Sequence, residues 1–295
     1  MLVFGYRFNW ANEMSEIDRL LKQIGAMRLA NEKKAANANV LAESDPLHEV
    51  ADNTVTKSHA LSRAYYRFGI VEKRCMEALI SKLNPLRSDN PQEIELLATE
   101  YVKTFPDVGK HAYEHLEKAG DALVNRVIVI ESPRRGVTYE KIPLMSIVRY
   151  QPKEGKIICE FNSHIVPHLI GLREKFSSYP LRKAVNFSSS YAWRFYEVLV
   201  SWAQPKNKTV GRFMGWIDRQ SVDDLREMLG VPKSYKWSDF QKQVLDVVES
   251  ELREKANIYI NFERVKTGRK ITHLNIKFAE NDQQQLPLGG ETKKK

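Results

Sequence analysis

Apolar positions recur at helical spacing in several runs of the chain and at alternating spacing in others. Met14 to Leu29 places Ile17, Leu20, Leu21, Ile24 and Met27 on one side of a predicted helix. Asn31 to Asn39 is polar and alanine-rich, and Ala42 to Asn53 reads as a linker, so residues 1–54 are expected to form an N-terminal extension. From Val55 the pattern becomes that of a packed domain. Leu61 to Phe68 and Val71 to Leu83 are predicted helices, with Asn84-Pro85 as a stop. Pro91 opens another through Tyr101 and Phe105, and Pro106 ends it. Asp107 to Asn125 is a further helix, with Ala112, Leu116, Ala119 and Leu123 along one side. Strands are predicted at Arg126 to Ile130, from Val137, and around Leu144 to Tyr150. The turn Ser132-Pro133-Arg134-Arg135-Gly136 gives the first pair a basic tip.

The second half opens with a predicted strand, Ile157 to Phe161, and a helix around Ile165 to Phe176. Ser188 or Ser189 caps the helix Tyr191 to Ala203, which carries Tyr191, Trp193, Phe195, Tyr196 and Trp202. Aromatics beside arginine can stack on bases, but at helical spacing they are assigned to the core. The chain is most informative from Ser221 to Phe278. Ser221 is an N-cap with Asp223 and Asp224 in the first turn, where the helix dipole favours negative charge. Gly230 supplies a left-handed C-cap, and Pro232 forbids continuation. A second helix starts near Trp237 or Ser238 and buries Trp237, Phe240, Val244, Val247 and Val248. Two strands then follow, Ile258 to Val265 and Lys270 to Phe278, joined by Lys266-Thr267-Gly268-Arg269.

Helix, turn, helix, then a hairpin with a basic tip is the order of a winged helix-turn-helix, and it occurs in both halves without obvious sequence identity. The expected fold is therefore α+β: two tandem winged-helix domains related by pseudo-symmetry, at 55–155 and 156–280, followed by a flexible tail at 281–295. In such a module the start of the second helix enters the major groove. Here that end offers Lys233, Ser234, Lys236, Ser238, Gln241 and Lys242 for bases. Lys266, Arg269 and Lys270 on the wing suit phosphate. Asp246 and Glu249 lie further along the helix and would repel a phosphate backbone, so only its first two turns should meet DNA. The bland alternative is a helix and hairpin whose charges are merely solvated.

Composition sharpens this picture. The 295 residues hold 42% apolar side chains, ample for one large or two ordinary domains. The net charge of +9 suits a polyanionic partner. Arg173 to Arg219 concentrates the excess, with Arg182 and Lys183 among the candidate phosphate contacts. Cys75 and Cys159 stand far apart without metal-ligand spacing, which suggests buried thiols in a reducing cytoplasm. No apolar run is long enough for a membrane span, and Met1 to Trp10 is too polar and short for a signal segment.

Other chemistry lacks its parts. His111/His115 and His164/His168 have i, i+4 spacing but neither an HExxH frame nor a third ligand, and Pro167 interrupts the second pair. There is no GxxxxGK[ST] loop to cradle ATP, and no His-hydrophobe-His metal pair to serve a nucleophilic tyrosine. The expectation is a protein without catalysis, metal or cofactor. In the tail, Gln285-Leu286-Pro287-Leu288-Gly289 is similar to the short motif that binds the bacterial sliding clamp. Two leucines would fill an apolar cleft, although Gly289 replaces the usual aromatic. Lys293 to Lys295 would add nonspecific DNA affinity or nothing.

Several stretches together resemble the iteron-binding plasmid replication initiator family (RepA/RepB/RepE-like proteins). They are Val55-Thr56-Lys57-Ser58, Leu83-Asn84-Pro85, Ser177-Ser178-Tyr179-Pro180-Leu181, Ser189 to Leu199, Asp224 to Pro232, Tyr235 to Phe240, and Lys266 to Lys270. The resemblance covers about residues 55–278 and is more specific in the second half. It implies a bacterial cytoplasmic protein that binds double-stranded DNA at direct repeats of a plasmid origin. It also implies opening of adjacent A+T-rich DNA and recruitment of the host initiator and replicative helicase. As a homodimer such a protein represses its own promoter at an inverted repeat. The C-terminal winged helix would make the main readout. The N-terminal one would add DNA contacts, with Arg134 and Arg135 in its wing, and much of the dimer interface. A dedicated transcriptional repressor on the same fold, and an interaction module whose winged helices bind no DNA, remain open at this stage.

Overall fold

The computed structural model describes residues 49–87, 92–131, 136–203 and 213–281. The helix expected at Met14 to Leu29, Arg134, Arg135, and the tail residues Gln285, Leu286 and Leu288 lie outside them. Val50–Asp52 forms a 3-10 turn that buries Val50 and Ala51, so the packed body begins inside the stretch expected to be linker. Strand β1 (Thr54–Ser58) leads into helix α1 (His59–Ser62), capped by Ser58 Oγ, which accepts from the Leu61 amide at 3.1 Å. The helix expected to reach Phe68 stops there, because the Tyr65 backbone pairs with Val129 instead. Helix α2 (Ile70–Ser81) follows.

The helix expected from Pro91 is a strand, β2 (Glu93–Leu97), followed by helix α3 (Ala98–Thr104). Glu93-Ile94-Glu95-Leu96 alternates with a period of two, which a sheet uses and a helix wastes. Pro106–His111 is a 3-10 turn kinked at Gly109 (φ +52°), so helix α4 is Ala112–Leu123 and starts later than expected. Then come β3 (Val127–Glu131), β4 (Tyr139–Pro143), β5 (Met145–Gln151) and β6 (Lys156–Phe161). The helix expected at Ile165 to Phe176 is a 3-10 turn at Val166–His168, where Pro167 sits, and then strand β7 (Phe176–Pro180). Helix α5 (Ser190–Trp202) is capped by Ser189, and strand β8 (Met214–Ser221) leads into helix α6 (Val222–Met228). Trp237–Phe240, a π turn at Gln241–Leu245, and Asp246–Ala256 run on as one helix, α7. Strands β9 (Ile258–Thr267) and β10 (Lys270–Glu280) close the described chain.

The two winged helices have one topology. In the first, α2-β2-α3-α4-β5-β6 builds an antiparallel sheet of order β2-β6-β5; in the second, α5-β8-α6-α7-β9-β10 builds β8-β10-β9. This corrects the expected first wing. Its strands are β5 and β6, turning at 152–155, whereas β3 and β4 form a separate inserted hairpin, and Arg134 and Arg135 lie between those two in the chain. It also moves the boundary. A cut between 155 and 156 would divide a hairpin, because β6 completes the first sheet instead of opening the second. Strand β7 likewise returns to β1, with Thr56 opposite Ser178 and their hydroxyls 2.8 Å apart. Two motifs 120 residues apart in the chain, Val55 to Ser58 and Ser177 to Leu181, thus owe their identities partly to each other.

The first helices of the two modules, α2 and α5, meet at a buried ionic seam. Lys57 of β1 bonds both Glu77 of α2 and Glu197 of α5. Lys73 also bridges them, at 2.6 Å to each, and Arg194 reaches Glu197 at 2.8 Å. Tyr179 Oη donates to Glu197 at 3.0 Å and accepts from Trp193 Nε1 at 3.0 Å. All these side chains are buried. Three cations face two carboxylates, and the imbalance shows in their proton affinities. Burial alone would raise Glu197, but Lys57, Lys73 and Arg194 hold it well below the usual carboxylate range. Burial would lower Lys57, but Glu197 and Glu77 outweigh it and raise it. Burial pushes Lys73 down to about 8; the same carboxylates offset this only in part, because Lys57 and Arg194 repel its charge.

This seam contains an internal repeat that the reading of two halves without sequence identity overlooked. Arg74-Cys75-Met76-Glu77-Ala78-Leu79-Ile80-Ser81 matches Arg194-Phe195-Tyr196-Glu197-Val198-Leu199-Val200-Ser201 at Arg, Glu, Leu and Ser. Each serine bonds back to the carbonyl three residues earlier, Ser81 to Ala78 at 2.8 Å and Ser201 to Val198 at 2.7 Å. Arg194 is therefore a core residue, not part of the basic surface its sequence neighbourhood suggested.

Candidate nucleic-acid interface

Helix α6 ends as its sequence predicts. Ser221 Oγ accepts from the Asp224 amide at 3.2 Å, and Gly230 takes φ +66°. The turn that follows is fixed by Arg226, whose guanidinium donates to the Tyr235 carbonyl and lies 5.1 Å from the Phe240 ring. At the start of α7 the Lys236 amide donates to Asp239 Oδ2 at 2.9 Å, satisfying one of the open amides of the first turn. Phe240, Val244 and Val248 are buried as expected, while Trp237 and Val247 are only partly covered.

This packing turns one end of α7 outward. Lys233, Ser234, Lys236, Ser238 and Lys242 are exposed, and Gln241 is half-buried. The wing beside it places Gly268 (φ +61°) first in a two-residue turn between Thr267 and Lys270, a geometry suited to a tight hairpin. Lys266, Arg269 and Lys270 are exposed at that tip. Lys270 makes a 3.7 Å pair with Asp223 of α6, both well exposed, which contributes little and leaves the cation accessible. The structure thus assembles most of the residues expected to meet DNA along α7 and the wing.

It separates two others. Arg182 is ion-paired with Asp52 and Glu49, and Lys183 with Glu280 at 3.2 Å. Glu280 ends the strand that Lys270 begins, so Lys183 sits roughly 30 Å from the wing tip at the rise of an extended strand. Neither cation joins the α7–wing surface, and carboxylates already offset both.

Arg264 was missed. The inner face of β9 runs Ile258, Ile260, Phe262, Arg264, Lys266, so the side facing the core leaves it and continues as a basic rail toward the tip. Arg264 lies 5.7 Å from the Trp237 ring and donates to Gln241 Oε1 at 3.1 Å. Strict alternation from Ile258 was the signal available in the sequence. Among the described residues no cluster of His, Cys, Asp and Glu could hold a metal ion, and no helix is long and apolar enough to cross a membrane.

Comparison with known proteins agrees with this architecture. Residues 54–200 match the sequence model described as Initiator Replication protein, WH1, and residues 221–278 match Initiator Rep protein, WH2. The first match runs almost to the end of α5 and so includes both helices joined at the ionic seam. The PI protein of Escherichia coli is 29% identical over 150 residues, covering 45% of this chain and 46% of that relative, less than half its length. A crystal structure of the Pi initiator protein in complex with iteron DNA superposes with a TM-score of 0.59. It covers 79% of this chain and 99% of that one at 21% identity, a likeness of fold. With residues 54–200 and 221–278 matched to its WH1 and WH2 models, the chain belongs to the family of initiator replication proteins.

Proposed function

We propose that the protein initiates plasmid replication by binding repeated origin sequences, the iterons, through its second winged helix. The carrying observation is the joint exposure of Lys233, Lys236 and Lys242 on the α7 side and Lys266, Arg269 and Lys270 on the wing. Family membership supports the same reading, as does a relative of like fold whose structure contains iteron DNA. Helix α7 enters the major groove with Lys233, Ser234, Lys236, Ser238, Gln241 and Lys242 toward base edges, and the wing grips the neighbouring backbone. Binding then opens adjacent A+T-rich DNA and recruits the host initiator and replicative helicase, without cofactor or covalent chemistry. A homodimer on an inverted repeat represses the protein's own promoter, and Gln285, Leu286 and Leu288 contact the sliding clamp.

A gel-shift titration on the DNA flanking the gene, with nonspecific competitor at physiological salt, tests the core of this reading. A ladder of complexes, one per direct repeat, is the expected result. Neutralising about six phosphates would give a slope of log K against log salt of roughly −5. One shifted band on an inverted repeat alone would instead favour a dedicated repressor. The absence of any competitor-resistant band would overturn sequence-specific binding.

A further inference from the structure

Gln241 is held at both ends of its amide. Arg264 Nη2 donates to its Oε1 at 3.1 Å, and its Nε2 donates to Asp246 Oδ1 at 2.6 Å. The second contact depends on an irregularity of the backbone. Residues five apart fall on different sides of a regular α-helix, but α7 passes through a π turn over Gln241–Leu245, which brings residues i and i+5 together. The first contact depends on the wing, because Arg264 extends from the inner face of β9 and packs its guanidinium over Trp237 in the first turn of α7. Two elements thus converge on one side chain at the end of the helix where bases would be met.

A carboxamide can accept two hydrogen bonds at oxygen and donate two from nitrogen. Arg264 and Asp246 use one of each, leaving one lone pair and one N–H in a fixed orientation. That acceptor and donor match the N6 donor and N7 acceptor that adenine shows in the major groove. Holding the amide removes the ambiguity of its flip and lowers the ordering cost of binding. It also gives Asp246, an acid on a helix that would face phosphates, a reason to be there.

We propose that Gln241 reads an adenine, and that Arg264 and Asp246 are positioning residues that preset its amide for that base. The proposal rests on the DNA-binding reading above and adds the base and the residues that select it. Selection from a randomised duplex library, using the full chain and its variants, tests it. Wild type should enrich a motif with an adenine whose replacement weakens binding roughly 5- to 150-fold. Gln241→Ala, Arg264→Ala and Asp246→Ala should each lose preference at that one position while keeping the rest of the motif. Arg264→Lys and Asp246→Asn, which keep a donor and an acceptor, should restore part of it. A merely structural role would weaken all sequences alike and leave the motif unchanged. Loss of the preference in Gln241→Ala but not in Arg264→Ala or Asp246→Ala would overturn the relay. An unchanged motif in Gln241→Ala would overturn the adenine assignment. A wild type that enriches no motif would overturn both this proposal and the DNA-binding reading beneath it, a result distinct from either.

Discussion

The two winged helices share a topology and differ in how each wing treats its own helix. In the first, the wing turns at Gly155 (φ +62°), whose carbonyl accepts from the Ala98 amide at 2.8 Å. A methyl group there would lie 2.6 Å from the Tyr113 ring of α4. Glu114 of the same helix is tied to Lys118, and Glu117 and Asp121 are exposed beside it. In the second, a methyl group on Gly268 meets nothing within 4 Å, and the neighbouring charges are Lys266, Arg269 and Lys270. One wing is folded onto its helix among paired charges of both signs, with Lys156 bound to Glu95 and Glu154, while the other stands free with three exposed cations at its tip. The same architecture therefore supports different surfaces, and the role of each module follows from its side chains, not its fold.

The comparison breaks first at the seam the modules share. Glu197→Ala leaves Lys57, Lys73 and Arg194 with Glu77 alone, and removing one partner of a buried charge set costs about 3–5 kcal/mol. Both modules should lose this stability, since Lys57 and Lys73 hold α2 as well as α5. Among the described residues every tryptophan belongs to the second module, at Trp193, Trp202, Trp216 and Trp237. Urea unfolding followed by tryptophan fluorescence and by far-UV circular dichroism should give coincident transitions in wild type, both shifted to lower urea in the variant. A shift in fluorescence alone would mean that the modules are independent.

DNA binding sharpens the contrast between the surfaces. Lys242→Ala should cost about 1–3 kcal/mol and relax sequence preference at one position, as expected for a base contact. Arg269→Ala should weaken all sequences alike and lower the salt slope by about one. Lys118→Ala on α4, whose cation is already tied to Glu114, should leave both properties unchanged within error. Filter-binding titrations at several salt concentrations separate these outcomes, and an equal loss for Lys118 and Lys242 would erase the functional difference drawn between the helices.

The wing tips themselves give a smaller effect. Alanine at a left-handed position costs about 1–2 kcal/mol in open space. Gly268→Ala should therefore show that cost alone, and Gly155→Ala somewhat more, since its methyl must also displace the Tyr113 ring. Thermal melts of the two variants should rank them in that order. The reverse order would show that the second wing is as closely packed as the first.

Much of the second module was legible because its signals are local. Ser221, Gly230, Pro232 and the apolar spacing from Phe240 to Val248 each act within a few residues, and the elements follow them closely. The first module was misread where partners are distant. Glu93 to Leu97 alternates like a strand, but Pro91 ahead of it imitates a helix start. The first wing was placed at the more basic turn although the sheet closes through β6. The seam was not legible by charge at all, since a buried Lys73 or Arg194 looks in sequence like a surface cation. Only the repeated Arg-x-x-Glu-x-Leu-x-Ser could have announced it. Arg264 fell between the two cases: its strand was predicted, but the partner that gives it meaning lies on another element.

The repeat is not perfect, and its main departure has a measurable pH signature. The position that holds Lys73 in α2 holds Trp193 in α5, and the ammonium lies 5.9 Å from that ring. The seam therefore carries one cation more than it has carboxylates, and burial lowers Lys73 from 10.5 to about 8. Above pH 8 the folded protein releases this proton while the unfolded chain still holds it, so stability must rise with pH. Other groups oppose this rise within the same range. From about pH 8 unfolded Cys75 and Cys159, whose ordinary value is 9.0, and at higher pH the buried tyrosines ionise, while burial keeps their folded counterparts protonated, which lowers stability. Lys57, raised in the fold, adds to that loss above 10.5. Unfolding free energies from urea titrations should therefore climb by about 1 kcal/mol between pH 7.5 and 9 in wild type relative to Lys73→Met, because the cysteines and tyrosines are common to both proteins and cancel. Lys73→Met leaves two cations against two carboxylates and lacks the group that titrates, so it serves as the reference. A flat difference between the two proteins would mean that the surplus charge is compensated within the seam, and that the two halves of the repeat are electrostatically equivalent after all.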